Sequence, residues 1–280
     1  MDEIFKMKKI FITGGGGYVG CALADYLSSI GFDVTVYDIF IYGKNVFKNL
    51  NKLNLIEGDI RNQDLLNKSL KNQDVVIHLA CISNDPSFEL NPNLGKSINY
   101  DAFEPLVKLS QKNDVKRFIY ASSSSVYGIK SENNVTEDMS LEPLTDYSKF
   151  KAECENILFK YKSDEFTTVV IRPATVCGYS KRQRLDVIVN ILTNLAYHKR
   201  EISVFGGSQL RPNIHIKDMI RSYETIIKAD KEKVNGEIFN AGWENKPVDE
   251  IASIVKNEIG DDIKIIKTET NDNRSYHISS

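Results

Sequence analysis

Along the chain, short runs of β-branched and apolar residues alternate with longer stretches in which apolar side chains recur at helical spacing. The strand-like runs are 8–13 (KKIFIT), 33–38 (DVTVYD), 53–58 (LNLIEG), 74–80 (DVVIHLA), 116–122 (KRFIYAS) and 167–173 (TTVVIRP). Helix-like stretches lie at 17–30, 62–70, 93–113, 146–162 and 184–199. Several strands are apolar at every position, the pattern of a strand covered on both faces. Repeated β–α units of this character predict an α/β fold, a doubly wound parallel sheet with right-handed crossovers and helices on both sides. Beyond residue 173 the rhythm loosens to a strand at 201–205 and helices near 216–229 and 247–259. The reading is a sheet domain over 1–173 and, over 174–280, mainly a smaller lobe at the carboxyl edge of the sheet.

Composition narrows the partners. With 280 residues, 41% hydrophobic and 26% charged, the chain can fill a sizeable core. A formal net charge of -2, with cations scattered among acids, leaves no basic footprint for nucleic acid and no polybasic anchor for a membrane. The amino terminus, MDEIFKMKKIFITGGGG, lacks the apolar length of a secretory signal or a membrane span. Cys21, Cys81, Cys154 and Cys177 form no CxxC pair, and the histidines are equally dispersed, so no metal is expected. Reduced thiols in a cytoplasmic protein are the simple reading.

The first strand runs into Thr13-Gly14-Gly15-Gly16-Gly17-Tyr18-Val19-Gly20 and then a helical pattern. Glycines there let the backbone turn sharply and approach a pyrophosphate without Cβ obstruction, while the helix aims its free N–H groups at the phosphates. The second strand ends at Asp38, where a carboxylate can accept hydrogen bonds from an adenosine ribose and would repel a 2′-phosphate. NAD is therefore expected over NADP. Asp59 ends the third strand, either to meet the adenine or to cap the helix starting near Asn62. Leu79, Ala80 and Cys81 end the fourth, as cofactor lining, core, or both.

The fifth strand leads into Ala121-Ser122-Ser123-Ser124-Ser125-Val126-Tyr127-Gly128, followed by a helix opening with Tyr147-Ser148-Lys149-Phe150-Lys151. Tyr147 and Lys151, four apart, share a helix face. A free phenol has a pKa near 10, so its use as a base at neutral pH needs about 4 kcal/mol of differential stabilisation from nearby positive charge. Ser123 would hydrogen-bond the reacting oxygen. The alternatives are a plain turn at the glycines and an exposed Tyr–Lys helix face.

TGGGGYVG, GDIR, HLA, SSSSVYG, YSKFK and IRPATVCG together resemble the extended short-chain dehydrogenase/reductases, the NAD-dependent nucleotide-sugar epimerase/dehydratase family, in that family's order. The resemblance implies a Rossmann-like sheet with a C-terminal substrate-binding lobe, and Ser123, Tyr147 and Lys151 as the catalytic trio. It implies that Gly14, Gly17, Tyr18, Val19, Asp38, Asp59, Ile60 and Pro173 hold the dinucleotide, with Asn99 as a supporter and Lys151 on the nicotinamide ribose. Substrate would meet Ser123, Ser124, Thr175, Arg182, Leu185, Asn190, Arg211 and Arg274, with Arg211 on the diphosphate. It also implies a homodimer through helices around 93–113 and 146–162, with Leu106, Leu109, Leu158 and Phe159 facing outward or inward.

Three departures shape the expected reaction. Dehydratases of the family carry Asp-Glu directly after the catalytic Ser/Thr, where this chain has Ser124-Ser125, so elimination of water is disfavoured. Thr175 replaces an Asn that often contacts substrate. Family members continue for a few tens of residues past the region of Arg274, whereas this sequence ends at Ser280. The run SSSSVYGIK…LTDYSKFKAE…RPATVCGYS…RQRLDVIVN further resembles capsule-pathway enzymes that oxidise C4 of GDP-linked manno-heptose. The leading expectation is thus a C4 oxidoreductase on a GDP-sugar. A nucleotide-sugar C4 epimerase shares its first half-reaction and is the alternative; a non-catalytic dinucleotide-binding regulator would not need the Tyr/Lys pair.

Overall fold

The computed structural model describes residues 7–130, 132, 134–269 and 278–279, and Arg274, an expected substrate contact, lies outside them. Strands β1 (Lys9–Thr13), β2 (Asp33–Asp38), β3 (Leu53–Glu57), β4 (Val75–His78), β5 (Arg117–Ala121) and β6 (Thr167–Pro173) appear where the apolar runs place them. They form one parallel sheet in the order 3-2-1-4-5-6, extended at the β6 edge by a seventh parallel strand from the C-terminal half, β10 (Glu237–Ala241).

Alternation along each strand divides the core into two layers. Ile10 and Ile12, Val34 and Val36, and Val169 and Ile171 face one side, against Leu23 and Leu27 of α1 (Tyr18–Ser29) and Met219, Tyr223 and Ile227 of α8 (Ile216–Lys228). Phe11, Tyr37, Val76, Phe118 and Tyr120 face the other, against α2 (Gln63–Ser69), α5 (Phe103–Lys112) and α6 (Asp146–Phe159). Leu106 and Leu158 are fully buried there, and Leu109 and Phe159 pack on the same cluster. Leu106 and Leu158 are therefore core of their own chain, whereas Leu109 and Phe159 are half-buried and keep part of their surface outward. Arg117, 2% exposed, closes α8 by donating to the carbonyls of Ile227 (2.9 Å) and Ala229 (2.9 Å), taking up helix-end acceptors that α8 cannot satisfy itself.

The helix expected over 93–113 is broken. Short helices α3 (Asp85–Glu89) and α4 (Pro92–Lys96) precede a π-helical turn at Ser97–Asp101, and only then does α5 begin. A π-turn widens the helix by one residue and is common near functional sites; Asn99 lies at its centre.

A smaller lobe holds α7 (Ile188–Lys199), β8 (Glu201–Phe205), α10 (Val248–Ile259) and β12 (Lys264–Thr268), around Leu192, Ile202, Val204, Ile251 and Val255. The chain passes between sheet and lobe through a three-stranded sheet, β11 (Glu244–Pro247), β9 (Leu210–His215) and β7 (Thr175–Cys177), with the four-residue α9 (Lys231–Val234) leading back to β10. Among the described residues, no helix is long and apolar enough to cross a membrane, and no cluster of side chains has metal-ligand geometry.

His78 on β4 is 3% exposed, bonds Thr13 Oγ1 at 2.7 Å and packs on Phe103, Phe118 and Tyr120. Burial lowers its pKa from 6.5 to about 3, with the Lys151 charge adding to the shift. An unfolded chain therefore protonates His78 before the folded one does. Its contribution to stability is complete above about pH 6.5 and is lost as pH falls from there toward 3. Urea titrations of His78→Asn should show an acid limb flatter by up to about 1.4 kcal/mol per pH unit between pH 6 and 4; an unaltered slope would assign acid sensitivity to other groups.

Candidate active site

At the carboxyl edge of β1, Gly14 adopts φ +71°, and its amide donates to the Tyr37 carbonyl at 2.9 Å. A Cβ on Gly14 would lie 2.5 Å from the Ala80 amide nitrogen, so the loops after β1 and β4 meet backbone to backbone. Gly17 opens α1; no side chain caps that helix end, and its first turn carries no acidic residue. Free N–H groups and the positive end of the helix dipole thus sit beside a turn that admits no side chain. The Asp38 carboxylate accepts from the amides of Gly16 (2.9 Å) and Phe40 (2.7 Å), which pins it next to the glycine loop. The arrangement fits a dinucleotide, with the diphosphate at the head of α1 and ribose hydroxyls on Asp38.

Several other expected cofactor residues have partners within the chain. Tyr18 is buried, and its hydroxyl donates to the Gly178 carbonyl at 2.6 Å, so its side chain ties α1 to the segment after β7. Ile60 is buried in the Phe11–Tyr37 layer. The Asp59 carboxylate is held by the Arg61 amide (2.8 Å) and Nε (2.9 Å), and the resulting pair keeps its acid below the ordinary range. Asn62 caps α2 in place of Asp59, accepting from Leu65 N at 3.1 Å. Asn99 is a clamp: its side chain accepts from Ile82 N (2.8 Å) and donates to Ile82 O (3.0 Å), fixing the loop that carries Cys81. Val19, Leu79, Ala80, Cys81 and Pro173 are half-buried at the same edge of the sheet.

The chemical residues converge there. Ser123 is extended and caps the 3₁₀ turn Ser124–Tyr127, with its hydroxyl 2.8 Å from that of Ser125 and near enough to the Tyr147 phenol to draw its pKa down. Thr145 and Ser148 form a capping box at the head of α6, so Tyr147 stands on a helix end of defined geometry. Lys151, 5% exposed, donates to the Ala121 carbonyl at 2.7 Å and lies 5.8 Å from the Tyr147 ring centre. Burial raises the phenol pKa above its usual value, as do Cys81 and Asp85, while the Arg184 charge and the Ser123 hydrogen bond pull it down. Arg184, from the loop after β7, is thus a cation that opposes burial at Tyr147. Arg184 Nε donates to Asp186 at 2.8 Å and its Nη2 to the Ser83 carbonyl at 3.3 Å.

The substrate side agrees only in part with expectation. Thr175 and Arg211 lie on neighbouring strands of the connecting sheet, with Asn213 of β9 opposite Thr175, and Leu185 is exposed. Ser124 is 2% exposed, leaving Ser125 as the hydroxyl presented beside Ser123. Asn190 is buried and committed to structure, accepting from Gly178 N (3.0 Å) and donating to Arg184 O (2.8 Å) and the Tyr18 hydroxyl (3.2 Å). Arg182 belongs to the cofactor half, its guanidinium 3.8 Å from the centre of the Tyr42 ring. Lys181 beside it reaches the Phe47 carbonyl at 3.0 Å, and Ser180 Oγ donates to Tyr18 O at 2.8 Å. Residues 178–183 therefore form a strap from the head of α1 to the loop after β2.

Beneath the site lies a network that no motif announces. Glu155, one turn beyond Lys151, accepts from Arg172 Nε (3.1 Å) and Nη2 (2.7 Å) and from the Ser122 hydroxyl; the ion-paired side chains are each 3% exposed. Arg172 also donates to the Tyr127 hydroxyl (2.8 Å), which donates to Asn240 Oδ1 (2.7 Å). A Glu and an Arg separated by 17 positions carry no sequence signal of contact.

Gly14→Ala would force apart the loops after β1 and β4 and strain a backbone that L side chains avoid. Calorimetry should find NAD affinity lower by tenfold or more, with the fold retained by circular dichroism; undiminished affinity would remove Gly14 from the cofactor site.

Comparison with known proteins agrees with this geometry. The profile of the "NAD dependent epimerase/dehydratase family" matches residues 10–242. The chain is 26% identical over 252 residues to UDP-glucose 4-epimerase of Lactobacillus helveticus, covering 84% of this chain and 76% of that protein. It is 30% identical over 269 residues to the uncharacterized UDP-glucose epimerase YtcB of Bacillus subtilis, covering 90% and 82% respectively. Among solved structures it superposes on UDP-N-acetylglucosamine 4-epimerase from Methanobrevibacter ruminantium with TM-score 0.88 and 25% identity, over 97% of this chain and 88% of that one. The chain belongs to the NAD-dependent epimerase/dehydratase family.

Proposed function

We propose that the chain is a nucleotide-sugar C4 oxidoreductase, in which Tyr147 takes the proton of the sugar C4 hydroxyl and Ser123 holds the same oxygen. The observation that carries this reading is the meeting of Ser123, Tyr147 and Lys151 at the sheet edge that also carries the Gly14–Gly17 turn and Asp38. NAD, when bound there, supplies the hydride acceptor and a positive charge. Tyr147 takes that proton as a phenolate and becomes the neutral phenol; burial favours the neutral form, while Arg184, Ser123 and the positive charge of bound NAD act toward the phenolate. Ser123 and Ser125 share one hydrogen bond, so Ser123 can reorient toward a substrate oxygen while Ser125 takes up the change.

The favoured outcome is C4 epimerisation of a UDP-sugar, the activity for which the Lactobacillus and Methanobrevibacter relatives are named. The strap 178–183 supports it, since epimerisation returns the hydride and lets one cofactor molecule serve many turnovers beneath a closed strap. Net C4 oxidation of a GDP-linked manno-heptose is the second reading and rests on the motif run around SSSSVYGIK and RQRLDVIVN. Dehydration is disfavoured because Ser124 and Ser125 offer no carboxyl acid or base.

A panel of UDP-, GDP- and dTDP-sugars, analysed for epimer and for keto product, decides between the readings. A C4 epimer of a UDP-sugar without accumulated NADH supports the first; stoichiometric NADH with a GDP-sugar supports the second and rejects the first. Tyr147→Phe should lower kcat by a thousandfold or more while retaining NAD binding, and near-normal turnover would refute the assigned base. Arg184→Met should cut the rate at neutral pH and recover part of it as pH rises, because the phenol has lost the cation that draws its pKa down. A uniform loss at all pH values would instead mean that Arg184 acts on substrate.

A further inference from the structure

An ammonium group has three N–H directions to satisfy, and burying it with any of them unmet is costly. At 5% exposure, Lys151 satisfies one with the Ala121 carbonyl at 2.7 Å. A second is met by a group absent from every motif singled out in the sequence. The face of the Tyr120 ring, on β5 below the helix, lies 4.9 Å from Lys151 Nζ. Only the third direction is left for the cleft, on the side of the Tyr147 ring.

Tyr120 is itself immobilised. It is 1% exposed, lies nearly parallel to His78 at 5.8 Å and 17°, and packs against Phe103 at 4.7 Å. Burial pushes its phenol well above the usual range and keeps His78 low, so both rings stay neutral at working pH. The charge above them therefore meets an aromatic face flanked by an uncharged imidazole. The ionisable groups around this ammonium also include Tyr147 and, on its own helix, Cys154, whose thiol burial pushes up to about 12.

We propose that Tyr120 is a positioning residue: its ring face, with the Ala121 carbonyl, holds the Lys151 ammonium in one orientation, so that a single N–H direction remains for the reacting site. The inference goes beyond the proposed function and rests on it only for what the remaining N–H serves. The ring's π-face is the effective element, and its hydroxyl is not, so phenylalanine should substitute and an aliphatic residue should not.

Proton exchange of the Lys151 ammonium tests this without turnover. In ¹⁵N-lysine-labelled protein, a held ammonium gives an Nζ–H cross-peak that persists at neutral pH, where exposed lysines exchange too fast to be seen; Lys151→Arg identifies it by loss. Tyr120→Phe should retain the peak. Tyr120→Leu should accelerate its exchange by about tenfold and weaken NAD affinity by a similar factor. Trifluorophenylalanine at position 120, which keeps the ring's shape and weakens its negative face, should fall between them and replaces Tyr120→Leu if that variant does not fold. Unchanged exchange in both the leucine and fluorinated variants, or equal loss with phenylalanine, would overturn the inference. Failure of the functional reading has a separate signature, no turnover across the sugar panel with the exchange results intact.

Discussion

Glu155 and Arg172 meet where neither can reach water, and the chemical site is assembled on that meeting. A carboxylate and a guanidinium in such a place are tolerated only when each fills the other's hydrogen-bonding capacity, and removing one partner strands a buried charge at a cost of about 3–5 kcal/mol. The pair satisfies this condition and adds Ser122 and Tyr127 to it. Because Glu155 stands one turn from Lys151, Ser122 precedes Ser123, and Arg172 precedes Pro173, three segments that carry site residues share one rigid anchor. The geometry at the sheet edge is set by this polar knot more than by the loops that display it.

Above the knot, two opposing effects act on Tyr147. Taking the phenol out of water makes it a weaker acid, and that effect is the largest at this position. Positive charge and a hydrogen bond to the phenolate work the other way. Four-residue spacing puts lysine and tyrosine on one helix face and points to Lys151 as the opposing charge. In the folded chain Lys151 bonds Ala121 and lies over Tyr120 while staying 5.8 Å from the Tyr147 ring centre, and Arg184, from a distant loop, also opposes the burial. The spacing located the right residues but was silent on which cation the tyrosine feels.

The fold was legible because its signal is repeated. Apolar runs bounded by glycine and polar residues recur six times, and the six resulting strands align as those runs require. The edge strand β10 escaped notice, since Glu237-Ile238-Phe239-Asn240-Ala241 is too mixed to stand out. The interruption at Ser97–Asp101 also escaped, because a π-turn keeps helical composition and changes only its register. For the site, residues within local motifs are brought together: Gly14, Asp38, Ser123, Tyr147 and Lys151 converge at one sheet edge. Residues from the more loosely patterned half are more scattered. Arg182 and Asn190 look like ligand groups in sequence, but one stacks on Tyr42 and the other stitches Gly178 to Arg184. Polar side chains on long connections have many possible partners, and a linear pattern does not choose among them.

The route of the chain between sheet and lobe carries a mechanical consequence. Among the described residues, three crossings between sheet and lobe run through the strands β7, β9 and β11, which are bonded side by side. A body joined to its base along one such row behaves as a door on aligned hinges. It resists sliding and twisting, and yields only to rotation about the line of the joints. Displacement grows with distance from that line, so the strap at 178–183 works as the latch on such a door, and the load on its contacts falls chiefly on Arg182 and Tyr42.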